Sequence, residues 1–135
     1  MIFSNIKRYS TNIIKTQNKK ESINNYLEVR NEVKIIIETI KKKSAKDLGK
    51  IYDNHWERKK KLSLKISNSK IDRIYKKILK NKYFHGGKLI GAGGGGFFLF
   101  VTSNKKKAKN YLKKNNIIFS EIKVDMKGSR LTKIS

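Results

Sequence analysis

The sequence predicts an α+β sandwich, an antiparallel sheet with helices on one face. Three observations carry that expectation. Two short apolar runs flank a glycine cluster: Lys88 to Ile90 leads in, and Phe97-Phe98-Leu99-Phe100-Val101 leads out. Upstream of this hairpin, three segments repeat apolar residues at helical spacing. Further short apolar stretches, Met1-Ile2-Phe3-Ser4 and Ile118 to Val124, stand near either end. The order short strand, helices, strand, glycine loop, strand, helix, strand has the outline of a ferredoxin-like split βαβ unit.

Each element has its own signal. Tyr26, Val29, Val33, Ile36, Ile37 and Ile40 define a long amphipathic helix from about Ser22 to Lys43, with these residues facing inward. Ser44-x-x-Asp47 is a capping-box-like start for a second helix, whose apolar face is Leu48, Ile51, Tyr52, His55, Trp56 and Leu62. His55 beside Trp56 reads as packing at the core edge. Ser69-x-x-Asp72 opens a third helix with Ile71, Ile74, Tyr75, Ile78 and Leu79 inward, and Gly86-Gly87 turns the chain into the strand at Lys88. Phe97 to Val101, five consecutive large apolar residues, reads as a strand buried on both faces. Ser103 or Asn104 caps a fourth helix with Ala108, Tyr111 and Leu112 on its apolar side, and Asn115-Asn116 stops it. Ile118, Ile122 and Val124 fall on one face of a last strand. Met126 to Ser135 trails along the surface.

The chain has 135 residues, enough for one domain; a chain of this size buries roughly 70% of its unfolded surface. It has no cysteine and only two histidines, which exclude disulfides and a thiolate metal site. No apolar run approaches a membrane span, and there is no secretory h-region, so the expectation is a cytoplasmic protein without a membrane partner. Lys7, Arg8, Lys15, Lys19 and Lys20 precede the first acidic residue, Glu21, in a pattern somewhat like an organelle transit peptide. The net charge is +24, which by itself suggests a nucleic-acid partner. Lysine, asparagine and isoleucine are abundant together, however, and lysine is spread along the whole chain. That is the trio an A/T-rich coding sequence produces. Nucleic-acid binding is therefore expected only as a non-specific property.

Seven of the nine glycines lie between Gly86 and Gly96, so the cluster is a local device. A flexible linker would join domains; this loop joins two hydrophobic strands. Gly91-x-Gly93-x-x-Gly96 matches a dinucleotide fingerprint, but that motif must open a helix, and Phe97 to Val101 is a poor helix opening. A P-loop is excluded because Phe97-Phe98 stands where Lys-Ser/Thr is required. The remaining reading is a strand–loop–strand anion cradle, in which successive backbone N–H groups face a phosphate.

Gly87-Lys88-Leu89-Ile90-Gly91-Ala92-Gly93-Gly94-Gly95-Gly96-Phe97 closely resembles the third, C-terminal motif of the GHMP kinases, which phosphorylate small alcohols. Within that family, the kinases acting on D-glycero-D-manno-heptose 7-phosphate are similar to this chain along most of its length. Ile6-Lys7-Arg8-Tyr9-Ser10, Ile13-Ile14 and Gln17 resemble an internal segment of those kinases, after a strand matched by Met1 to Ser4. The usual Thr-Gly of that turn is replaced by Ser4-Asn5, and asparagine tolerates the left-handed conformation the turn needs. This internal-segment reading is preferred to the transit peptide. The resemblance implies ATP and Mg²⁺ as cofactors and a sugar or sugar phosphate as substrate. It places Gly91, Ala92, Gly93, Gly94, Gly95 and Gly96 near the nucleotide phosphates, makes Arg8 a candidate contact to a substrate phosphate, and leaves Lys88 as a second candidate.

The same resemblance shows what is missing. The chain is read as a single C-terminal kinase domain over 1–135, with 1–20 as strand and linking segment and 21–135 as helices and glycine-loop sheet. The family's Ser-rich phosphate loop and its catalytic Asp or Lys belong to an N-terminal half not represented here. Asp47 and Asp72 read as helix caps; Glu121 and Asp125 lie away from the loop; no catalytic residue is assigned. The chain alone is expected to be inactive, needing an N-terminal half in cis or as a separate chain. The alternatives are a basic RNA-binding module of ferredoxin-like fold, with Phe97, Phe98 and Phe100 as stacking platforms, and a non-catalytic remnant.

Overall fold

The computed structural model describes residues 1–7, 22–42 and 44–123. Expectations for Arg8 to Glu21 and for Val124 to Ser135 lie outside the described residues. The elements in chain order are β1 (Ile2–Phe3), α1 (Ser22–Lys41), α2 (Ala45–Lys61), α3 (Ser69–Leu79), β2 (Gly86–Leu89), β3 (Phe97–Val101) and α4 (Lys105–Lys114). The three strands form one antiparallel sheet in the order β1-β3-β2, with Ile2 opposite Phe98 and Leu89 opposite Phe98 on the other side. Residues 118–120 extend it along the free edge of β1. Phe119 bridges Ile2, Phe3 N–H donates to the Ile118 carbonyl, and Ser120 N–H donates to the Met1 carbonyl, both at 2.9 Å. The resulting antiparallel sequence of segments is the α+β split βαβ arrangement expected.

The sheet has one dry face. Ile2, Leu89 and Phe98, neighbours in register, are fully or almost fully buried against Trp56, Ile71, Tyr75 and Ile78 of α2 and α3 and Ala108 and Leu112 of α4. Burying such side chains contributes about 1.5–3 kcal/mol each. Tyr75 stacks on Phe100 at 5.1 Å, and Trp56 meets Phe98 edge-on at 6.5 Å. The expectation that β3 is buried on both faces is corrected. Phe97 is 40% exposed and Leu99 only half-buried, because their face of the sheet lies opposite the core. The last strand is likewise reduced to a single bridge at Phe119, and Ile118 and Ile122 are exposed.

Caps fix the helix starts. Ser44 Oγ accepts from the Asp47 N–H and donates to the Asp47 carboxylate at 2.5 Å, as its spacing predicts. In α3 the cap is Asn68, one residue before the predicted opening: its Oδ1 accepts from Lys70 and Ile71 N–H, both at 3.0 Å. Asp72 instead accepts from Ser67 Oγ at 2.8 Å. Asn104 caps α4, and Asn116 takes φ 52° just beyond it, the left-handed stop expected there. Asn5 has φ 54°, so asparagine does make the turn after β1.

The long helix α1 forms; of its expected inward face Ile36 is half-buried, and the side chains of Tyr26 and Val29 lie outside the described residues. Glu32 and Thr39 are buried, while Val33, Ile37 and Ile40 are 52%, 48% and 55% exposed. A carboxylate is tolerated inside because it is paired. Glu32 accepts from His55 Nδ1 at 3.0 Å and pairs with the Arg58 guanidinium, both on α2.

Candidate functional site

The glycine loop joins β2 to β3, with the Ile90 N–H closing the hairpin onto the Phe97 carbonyl at 2.9 Å. Gly91, Gly93, Gly94, Gly95 and Gly96 all have positive φ, between 72° and 145°, so the run of glycines is demanded by the backbone path. Two loop amides point into the protein. Gly94 N–H donates to the Ile66 carbonyl at 2.8 Å, tying the loop to the α2–α3 connection. Gly96 N–H donates to the Ile6 carbonyl at 3.0 Å, tying it to the segment after β1; the Gly96 carbonyl accepts from Ser4 N–H at 2.8 Å. Space is equally tight: a Cβ on Gly93 would lie 2.8 Å from Ile66 Cα.

The amides of the expected cradle therefore divide into two sets. Gly94 and Gly96 hold the loop in place. The N–H groups of Gly91, Ala92, Gly93 and Gly95 donate no backbone hydrogen bond among the described residues.

A residue without a local sequence signal stands at the loop entrance. Lys59, near the end of α2, donates to the Leu89 carbonyl at 3.1 Å and to the Gly91 carbonyl. Lys88, the sequence candidate, is half-buried on β2 with its ammonium 4.8 Å over the Tyr52 ring. Burial lowers its pKa. Nearby, burial and then the Lys88 and Lys59 charges push His55 down to about 4, so at neutral pH its ring is uncharged and its Nδ1–H donates to Glu32. His55 thus serves the α1–α2 contact, in keeping with a packing role. Arg8 lies outside the described residues, and the Lys88 ammonium is placed over Tyr52 of α2.

Asp53 and Glu121 serve the fold. Asp53 accepts from the Tyr75 hydroxyl at 2.6 Å, and the same hydroxyl accepts from Gly87 N–H at 3.1 Å. Burial and then Asp53 raise the Tyr75 pKa. This contact locks β2 to α3. Here Gly86-Gly87 is strand, not the turn expected from sequence, because close approach of α2 and Phe100 leaves no room for side chains. Glu121 is held between Lys105 and Lys109, which depress its pKa to about 2. Among the described residues no group of three acidic, histidine or cysteine side chains is placed to hold a metal ion, and no helix is long and apolar enough to cross a membrane.

No curated protein matches the chain. The family model of the GHMP kinases C-terminal domain matches residues 36–119, from α1 through the segment that bridges β1. That match spans well over half the chain and includes the whole β2–loop–β3 hairpin. Kinases of this family use ATP and Mg²⁺. The chain belongs to the GHMP kinase family, of which it carries the C-terminal domain.

Proposed function

We propose that this chain is the C-terminal part of an ATP-dependent sugar kinase of the heptose-phosphate type, acting in the cytoplasm once joined to its N-terminal half. In the joined enzyme the γ-phosphoryl group of ATP passes to a sugar hydroxyl. Phosphoryl transfer is chiefly positioning and charge neutralisation. This chain's share is the loop: the N–H groups of Gly91, Ala92, Gly93 and Gly95 face a phosphate, and Gly94 and Gly96 keep the loop rigid by bonding inward. Arg8 contacts the phosphate of the acceptor, and Lys88 adds positive charge at the base of the hairpin. The Mg²⁺ ligand and the catalytic side chain come from the N-terminal half. Leu64, Ile90 and Phe97 are exposed apolar side chains, and in this reading that half packs on them; exposed apolar surface of this kind marks interfaces.

The observation that carries this reading is a rigidly tethered glycine loop with unspent amides, in a chain of kinase family membership. The basic RNA-module reading finds less support: Phe98 is fully buried and Phe100 is packed against the core, so neither offers a stacking face. A coupled ADP-release assay on the chain alone, and on the chain mixed with a family N-terminal half, tests the proposal. The expected result is no turnover alone, and sugar-dependent turnover of the pair. Turnover by the chain alone, or a soluble pair that releases no ADP with any phosphorylated sugar, would overturn it.

A further inference from the structure

We infer that Lys59 is a positioning residue for the glycine loop, the cationic latch that sets the direction of the Ala92 amide. The inference rests on the proposal that the loop receives a nucleotide phosphate. The Lys59 ammonium sits on two carbonyls, Leu89 and Gly91, that bracket the exit from β2. No peptide in the described chain is cis, and in a trans peptide the C=O and N–H point in opposite directions. Holding the Gly91 carbonyl on the Lys59 ammonium therefore turns the Ala92 N–H away from that ammonium.

The other two tethers act on later peptides. Gly94 N–H on Ile66 and Gly96 N–H on Ile6 fix the middle and the end of the loop, and in both the tether consumes an N–H. Lys59, like the Ser4 N–H on the Gly96 carbonyl, holds a loop carbonyl, so it fixes its peptide without consuming the Ala92 N–H. It also brings positive charge to a loop whose other contributions are backbone dipoles. Met at this position would keep the stem and lose both bonds; Arg would keep donors for two carbonyls.

Two measurements separate this role from general stability. Hydrogen exchange on the intact chain reads loop order through the Ile90 and Gly94 amides, which lie on either side of the latched peptide and are both hydrogen-bonded. Local opening sets their exchange. Loss of hydrogen bonds to a charged group corresponds to roughly tenfold or more, so Lys59→Met should speed both amides by about that factor, with Lys59→Arg close to wild type. In the reconstituted pair, Lys59→Met should raise KM for ATP by a similar factor, leaving KM for the sugar and kcat nearly unchanged, and Lys59→Arg should restore it. A purely structural role would move all three constants together. Wild-type exchange at both amides in Lys59→Met, or an unchanged KM for ATP, overturns the inference. If the wild-type pair proves inactive, the kinase reading fails and the exchange result alone decides the latch.

Discussion

Gly95 is the tightest point of the loop and gives the sharpest structural test. Its φ is 145°, a conformation that L side chains rarely adopt, and holding one there costs about 1–3 kcal/mol. An added Cβ would sit 2.5 Å from the Ile6 carbonyl oxygen and 3.0 Å from Ile6 Cγ2. That oxygen is the acceptor of the Gly96 N–H, so relieving the overlap displaces it and weakens a bond with a net worth of about 1 kcal/mol. Gly95→Ala should therefore destabilise the chain by roughly 2–4 kcal/mol. Gly94, at φ 72°, lies in the left-handed region, where an alanine costs about 1–2 kcal/mol. Urea unfolding of wild type, Gly94→Ala and Gly95→Ala, followed by circular dichroism, measures both. A Gly95→Ala protein as stable as wild type, or more stable than Gly94→Ala, would refute the claim that the loop is clamped onto the segment after β1.

Other expectations follow from the same geometry. His55 titrates near 4 when folded and near 6.5 when unfolded, so between these values the unfolded chain binds more protons. Stability is then full above about pH 6.5 and falls as the pH drops toward 4, by at most roughly 3 kcal/mol; His55→Gln should flatten that slope in urea titrations, and an unchanged slope would reject the assignment. In the reconstituted enzyme Arg8→Ala should raise KM for a phosphorylated sugar more than for ATP, since a charged hydrogen bond of this kind is worth about 1.5–3 kcal/mol; equal effects on the two substrates would remove Arg8 from the acceptor site. With a net charge of +24, the chain should bind nucleic acid weakly and without sequence preference, fading by physiological salt in an anisotropy assay. Tight, selective binding to one RNA at that salt would revive the RNA-module reading.

Most of what was legible in the sequence depended on local rules. The left-handed turn at Asn5, the cap at Ser44, the stop at Asn116 and the inward face of α3 each follow from a few adjacent residues, and the structure has them. The glycine loop was legible because its composition departs so far from that of the strands around it. Long-range pairing was not legible. Periodicity located the apolar stripe of α1 but could not say that Glu32, paired with His55 and Arg58, would be buried in preference to Val33, Ile37 and Ile40. Gly86-Gly87 looked like a turn because nothing local announces the helix and ring that crowd it. Lys59 lies about thirty residues before the loop, in a Lys59-Lys60-Lys61 run typical of a solvated helix end; only the folded path brings its ammonium to Leu89 and Gly91.

Contact between the loop's free amides and a phosphate is read by titrating ATP with Mg²⁺ into the reconstituted pair with this chain ¹⁵N-labelled, following the amide resonances. Saturable shifts are expected at Gly91, Ala92, Gly93 and Gly95, with smaller changes at Gly94 and Gly96, whose N–H groups stay on Ile66 and Ile6. A pair that turns over while those four amides remain unmoved would contradict that contact, and would make the glycine loop a structural hinge pin and not a phosphate site.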